Sequence, residues 1–390
     1  MPSSRDLAPA ATLLLALVAS AAAACVSSPK PSQDAGVAAS ASASTSPDAG
    51  REGATASADA TIDSPAVASV ERGQKLYAKY CNFCHGAEGK GYAADEAPAL
   101  ANDDLLSIAT DEFLHDAIAN GRPGTTMSSW FIVRGGPLSD DDVLAIVAYL
   151  RTWQKRPSES TAGRTLSPNA SAERGAAIYA AHCASCHGAK GWRGKHNALA
   201  NPELLISATD GFLATTIERG RAGTPMQGFG EKLGKEKIDD VVAFLRTWQK
   251  EPDVTPTLPP KAGALVSVVL NPKGPEPSFD PKADFVPVDD VKKEHDRKAS
   301  MVIIDARPPA DYARMHIVGA ISVPFYDVEA FAKQIPKDKY VLTYCACPHA
   351  ESMKVQLALR NLGYKRVAVI NEGLFAWRDR GYPVHGGPKP

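Results

Sequence analysis

The chain has 390 residues, 44% of them hydrophobic and 22% charged, with a formal net charge of −1. That length suits two or three domains, and a near-neutral balance with no basic stripe excludes a nucleic-acid partner. The 7 cysteines fall at 25, 81, 84, 183, 186, 345 and 347, as one alone, two CxxC pairs and one CxC pair. Such clustering reads as sites rather than as a disulfide framework.

Arg5 precedes an apolar run, "ATLLLALVASAAAA", that stops at Cys25. The run is too short and too alanine-rich to span a membrane, and residues 1–25 read as an export signal. Ala22, Ala23 and Ala24 stand before the cysteine, although Ala22 replaces the usual leucine. The stretch resembles the lipobox of bacterial lipoproteins. That resemblance implies that Cys25 is lipidated and holds the protein to the periplasmic side of a bacterial membrane. Ordinary cleavage beside an incidental cysteine is the alternative. Residues 26–66 are nearly all Ala, Ser, Thr, Pro, Asp and Gly. They lack the apolar content for a core and read as a tether.

The next part is duplicated. "YCNFCHGAEGKG" matches "HCASCHGAKGWRG", "LLSIATDEFLHDAIANGRPGTTM" matches "LLISATDGFLATTIERGRAGTPM", and "AYLRTWQKRP" matches "AFLRTWQKEP". Units of about 85 residues are too long for a solenoid, so two tandem domains are expected, at 67–156 and 169–252. Each opens with a helix running into the cysteines. Each closes with an amphipathic helix, on Val143, Ile146, Val147 and Leu150 in the first and Ile238, Val241, Val242 and Leu245 in the second. Ser139 suits the N-cap of the first of these, and Asp140 to Asp142 suit its positive end.

Cys81, Cys84 and His85, and Cys183, Cys186 and His187, spell CxxCH, the attachment motif of c-type haem. Two thiols on one turn can bond both vinyl groups of one porphyrin, and the histidine then faces the iron. The competing readings are a thioredoxin-like CxxC and half a zinc site, but neither unit holds a second cysteine pair. Both units resemble class I cytochrome c domains over nearly their whole length. The resemblance implies all-α domains, two covalently bound haem c groups, and a methionine as sixth ligand. Met127 in "GRPGTTM" and Met226 in "GRAGTPM" match that methionine. Gly73 and Gly175 match the small residue where first and last helices cross, against Tyr149 and Phe244. Met/His ligation leaves no open position and implies electron transfer to redox partner proteins of the periplasm. His115, His182 and His196 do not recur in both units and read as surface residues.

Residues 253–283 form a proline-rich linker containing a short apolar run, Ala264 to Leu270, expected to be a strand. At about 3.1 Å per residue such a segment is long enough to hold its neighbours far apart. From 284 to 386 the pattern alternates. "MVIID", "KYVLTYC" and "VAVINEG" read as buried parallel strands, with a helix "ESMKVQLALRNLGY" between the last two. "DAR" with Asp311 and Tyr312, "HIVGAISVP", and "NEGLFAWRDRGYPV" resemble the rhodanese, or sulfurtransferase, family. The fold class expected is thus multidomain: two all-α cytochrome c domains, then an α/β rhodanese domain with a parallel sheet.

The rhodanese resemblance implies that Cys345, at a strand end, is the nucleophile and that Ala346 to Ala350 cradle its persulfide. It leaves Asp305 and His316 mainly structural. The loop has no Arg or Lys, Pro348 removes a donor, and Glu351 adds negative charge. A neutral or protein-borne sulfane-sulfur donor is therefore expected over thiosulfate. Cys347 either resolves the persulfide or fills space, and a metal site from Cys345, Cys347 and His349 is a further alternative. The fusion points to electron transfer coupled to persulfide chemistry. The rivals are an electron carrier whose rhodanese domain is a docking module, a plain sulfurtransferase, and a thiol redox sensor.

Overall fold

The computed structural model describes residues 65–92, 94, 96–251, 265–346 and 349–386. Residues 1–25 with Cys25, the tether to residue 64, the linker from 252 to 264, and Cys347 lie outside the described residues. Among the described residues no helix is long and apolar enough to cross a membrane.

The first unit runs through helices Pro65–Tyr80, Asn82–His85, Asp103–Leu106, Asp111–Asn120 and Asp140–Arg151. The second repeats them as Ala172–His182, Ala184–His187, Pro202–Ser207, Asp210–Arg219 and Gly230–Arg246. Ser139 caps its helix reciprocally: its hydroxyl accepts from Asp142 N at 3.2 Å, and the Asp142 carboxylate accepts from Ser139 N at 3.0 Å. The apolar stripes on both closing helices are buried. The second closing helix starts earlier and is broken at Gly234, whose φ is 68°.

First and last helices of each unit cross at a glycine. A Cβ on Gly73 would lie 1.9 Å from the Ala145 carbonyl oxygen, and one on Gly175 would lie 1.9 Å from that of Asp240. Backbone cannot yield there without parting the helices. Gly175→Ala is therefore expected to lower stability by about 2–3 kcal/mol, read as a shifted denaturant midpoint. A change within about 0.5 kcal/mol would show that the crossing is loose.

The two units pack through matched residues. Phe113 meets its own counterpart, Phe212, at 4.5 Å between ring centroids. Asn102 Nδ2 donates to Ala222 O at 2.9 Å, and its counterpart Asn201 Nδ2 donates to Pro123 O at 3.0 Å. Each asparagine also caps a helix in its own unit. This is the reciprocity of a two-fold interface built within one chain. It sets the "GRPG" and "GRAG" loop of each unit against the capping asparagine of the other.

The C-terminal part is a five-stranded parallel sheet. Its strands are β1 (Phe285–Val286), β2 (Met301–Asp305), β4 (Ala320–Ser322), β5 (Tyr340–Tyr344) and β6 (Val367–Ile370), in the order β1-β6-β5-β2-β4. β3 (Met315–Ile317) pairs antiparallel with β7 (Val384–Gly386). β2, β5 and β6 are buried throughout, which is why they read as unbroken apolar runs. The apolar run before 270 forms a single bridge, Leu270 to Met301, rather than a strand, and Val266 is exposed. Pro275 O accepts from Ser300 N at 2.7 Å, and Asp280 O accepts from Tyr340 OH at 2.8 Å. The proline-rich stretch from 265 onward thus lies along the sheet.

Candidate functional site

Each cysteine–histidine motif occupies one helical turn. Cys84 N and His85 N both donate to Cys81 O, at 3.2 and 3.0 Å; Cys186 N and His187 N donate to Cys183 O, at 3.1 and 3.0 Å. His85 Nδ1 lies 2.9 Å from Pro98 O, and His187 Nδ1 lies 2.9 Å from Asn197 O. A carbonyl partner places the proton on Nδ1 and leaves Nε2 as the ligand atom. Burial lowers both histidine pKa values, which favours the neutral, ligating imidazole. The donor set therefore fits a covalently held haem in each unit.

The methionines sit in matching loops. Met127 O accepts from Arg122 N at 2.8 Å, and Met226 O accepts from Arg221 N at 2.7 Å. Cys81 and Met127 pack on the same buried core, as do Cys183 and Met226. Three recurring elements escaped the sequence reading. Tyr77 OH donates to Gly86 O and Tyr179 OH to Gly188 O, each at 2.7 Å, tying the first helix to the motif. Arg151 and Arg246 each bind an aspartate and two backbone carbonyls. Arg122 and Arg221 are desolvated, which pushes both guanidinium pKa values down to about 10. Their charge faces carboxylates, Glu203 and Asp116 for Arg122 and Asp104 for Arg221. Recurrence in both repeats was the signal for all of these. His115, His182 and His196 are half-buried rather than on the surface. His115 bonds Asp116 and Asp140, and His196 reaches toward Glu96 of the first unit at 3.6 Å.

Cys345 follows β5 at the centre of the sheet and is 1% exposed. Its Sγ lies 3.5 Å from Ser352 Oγ, and Thr343 Oγ1 donates to Ser352 O at 3.0 Å. Helix Gly373–Asp379 fixes the loop from below: Leu374 N donates to Cys345 O at 2.9 Å and Phe375 N to Ala346 O at 3.3 Å. His349 has φ 88°, a left-handed turn that lets helix Ala350–Asn361 start against the loop. Its Nε2 lies 2.8 Å from Asn371 O. This is the strand, tight turn and helix N-terminus that suit a sulfur anion.

Asp305 lies under the site, fully buried. It takes Arg307 Nε at 2.9 Å and Nη2 at 2.6 Å, and Tyr344 OH at 2.8 Å. His316 Nδ1 lies 2.7 Å from Tyr312 O, and its ring stacks on Tyr312 at 3.8 Å.

Glu351 lies inside the domain beside the loop. It is buried, and desolvation, together with Cys345, Asp311 and Asp305, raises its pKa well above the carboxylate range against the pull of Arg307. Lys354 and Tyr326 also face it. Burial beside Cys345 thus disfavours its charged form. The linkage has a definite sign. Unfolded, Glu351 ionises near its ordinary value of 4.5; folded, it holds its proton to higher pH. Stability present below 4.5 is therefore lost as pH rises toward the folded value, at up to about 1.4 kcal/mol per pH unit. Glu351→Gln is expected to flatten the fall of stability as pH rises above 4.5. Denaturant midpoints across that range that track wild type would rule this out.

Residues 68–150 and 170–245 match the family model of cbb3-type cytochrome c oxidase subunit III, and residues 287–380 match the rhodanese-like domain model. The chain is 30% identical over 199 residues to the FixP subunit of a cbb3-type cytochrome c oxidase from Azorhizobium caulinodans, over 47% of this chain and 62% of that one. It is 32% identical over 84 residues to a sulfurtransferase from Allochromatium vinosum, over 22% of this chain and 78% of that one. It is 31% identical over 102 residues to a thiosulfate dehydrogenase from Psychrobacter arcticus, over 25% of this chain and 29% of that one. The chain thus spans only about six-tenths of the oxidase subunit, while it covers most of the sulfurtransferase. With the CxxCH turns in duplicate and Cys345 at the end of a parallel strand, the chain belongs to the rhodanese family through its C-terminal domain and joins to it two tandem cytochrome c domains of the cbb3 subunit III type.

Proposed function

We propose that this chain is an exported, lipid-anchored dihaem cytochrome that couples persulfide chemistry at Cys345 to electron transfer toward redox partner proteins. The observation that carries the reading is Cys345 itself, at a strand end of the domain whose Phe325, Tyr326 and Lys354 contact the first cytochrome unit. Cys81, Cys84 and His85 with Met127, and Cys183, Cys186 and His187 with Met226, would hold the haems. Each haem c would supply a one-electron acceptor with both axial positions filled. Cys25 would carry the lipid and place the module on the periplasmic side of the membrane.

In the sulfur step the Cys345 thiolate attacks the outer sulfur of a sulfane donor; the donor S–S bond breaks, a Cys345 S–S bond forms, and the donor leaves as a thiolate. No net electrons move in that step. Electrons are released when that Cys345 persulfide and the Cys347 thiol close to a trisulfide, with two protons and two electrons lost, one electron for each haem that the CxxCH turns would hold. Ser352 holds the Cys345 sulfur in place, and the burial that raises the Glu351 pKa weakens its repulsion of an incoming anion.

The test is absorbance. Thiosulfate, then polysulfide, is added to oxidised haem-loaded protein while the reduced-haem bands are followed and Cys345 is checked for added sulfur by mass. Haem reduction with a Cys345 persulfide supports the coupled reading. A persulfide without haem reduction leaves a sulfurtransferase and an electron carrier sharing a chain. No persulfide leaves the rhodanese domain as a docking module or sensor.

A further inference from the structure

The cytochrome units are near copies, yet the rhodanese domain treats them differently. Phe83 lies inside the first motif, between Cys81 and Cys84. Its ring meets Phe325 of the rhodanese domain edge-on at 5.7 Å, and the Lys354 ammonium sits over it at 3.8 Å. Lys354 also covers Phe325 at 4.8 Å and donates to Lys79 O at 3.4 Å. Around this centre, Tyr80 meets Tyr326 at 5.9 Å, Trp130 meets Phe325 at 6.1 Å, and Tyr326 OH donates to Gly135 O at 3.3 Å. Ser128, next to Met127, hydrogen-bonds the buried carboxyl of Asp311. The contact therefore spans both the attachment turn and the methionine loop of the first unit.

The second unit has none of this chemistry at the matching positions. Where the first has Lys79, Tyr80 and Phe83, the second has Ala181, His182 and Ser185. Ser185 and Cys186 are exposed. The second unit reaches the rhodanese domain through a surface ion pair, Arg193 to Asp379 at 3.1 Å. Such pairs contribute little. Lys354, by contrast, stands on the helix that starts at the Cys345 loop, one turn after Glu351. It lies within electrostatic reach of Glu351 on one side and of Cys81 and Cys84 on the other.

We propose that electrons released at Cys345 enter the first cytochrome domain across the Phe83–Phe325 contact clamped by Lys354, and that the second domain, with its attachment turn open to solvent, is the outlet to the redox partner. This rests on the coupled reading above. Electron tunnelling falls steeply with distance, so a packed contact at one attachment turn selects that unit as the entrance. The matched interface between the units then carries the electron onward. Lys354 is a positioning residue: it holds the rings together and adds positive charge beside the first haem site.

The test uses the haem-loaded full chain. Lys354→Gln keeps most of the stem and removes the charge. A cation near a haem favours the reduced form, so the midpoint potential of one haem is expected to shift negative while the other stays put. Equal shifts, or none, would overturn the assignment without any donor being added. Phe83→Ser installs the residue of the second unit. It is expected to slow the first phase of polysulfide-driven haem reduction at least about tenfold and to leave sulfur loading of Cys345 at the wild-type level. Polysulfide that fails to reduce wild type sinks the coupled reading. A reduced wild type, with Phe83→Ser and Lys354→Gln at full rate, sinks this inference alone.

Discussion

Cys345→Ser is expected to abolish sulfur loading and to slow donor-driven haem reduction by about 10³-fold or more, since a nucleophile acts as a unit with its site. Serine fits the space: the position is 1% exposed, and the Ser352 hydroxyl at 3.5 Å can bond an oxygen as readily as a sulfur. The hydroxyl, however, is a far weaker nucleophile than a thiolate and cannot hold a sulfane sulfur. Haem content and haem potentials should stay as in wild type, because the substitution does not touch either attachment turn. Intact mass after polysulfide treatment separates the outcomes. A variant that still gains sulfur on the C-terminal domain would move the nucleophile elsewhere, and a variant that reduces haem normally would break the link between the two chemistries.

Asp305→Ala should cost the rhodanese domain about 3–5 kcal/mol, the usual consequence of removing one partner from a buried ion pair. Arg307 is 5% exposed, and among the described residues Asp305 is the carboxylate that its guanidinium hydrogen-bonds, through both Nε and Nη2. Its remaining bonds go to the carbonyls of Asp311 and Met315, which cannot neutralise it. The Tyr344 hydroxyl loses its acceptor at the same time. Asp305→Asn keeps an acceptor for Tyr344 and should fall between the two. The measurement is amide exchange of β2 and β5 in the full chain, which reports this domain even when the cytochrome units stay folded. A loss under about 1 kcal/mol for the alanine variant would mean that the guanidinium finds another home.

The two CxxCH turns, and the place of Cys345 at a strand end, were legible because such motifs carry fixed residue types at fixed spacing. The buried strands β2, β5 and β6 were legible because both their faces are covered, so every position is apolar. What was missed has physical reasons. β1, with 2 residues, and β3, β4 and β7, with 3 each, are too short to show a period. The burial of Glu351, which raises its pKa, was not legible because burial is not a local property of sequence. The contact on the first unit was invisible for the same reason. Phe83, Gly135, Phe325, Tyr326 and Lys354 are brought together from far apart along the chain, with no shared pattern to announce it.

The matched packing of the two cytochrome units reaches beyond electron transfer. Phe113 against Phe212, and Asn102 and Asn201 each reaching the other's loop, amount to one surface recognising its own copy. A single unit produced alone carries half of that surface and is primed to homodimerise. The duplicated chain turns this second-order association into a first-order one, held at the high local concentration that a short connection imposes. It also faces a folding hazard peculiar to such design: equivalent helices of neighbouring chains can exchange places. The residues that break the symmetry, Lys79, Tyr80 and Phe83 against Ala181, His182 and Ser185, are the ones that meet a third domain. Divergence after duplication is thus visible at positions where one copy meets the rhodanese domain and the other does not.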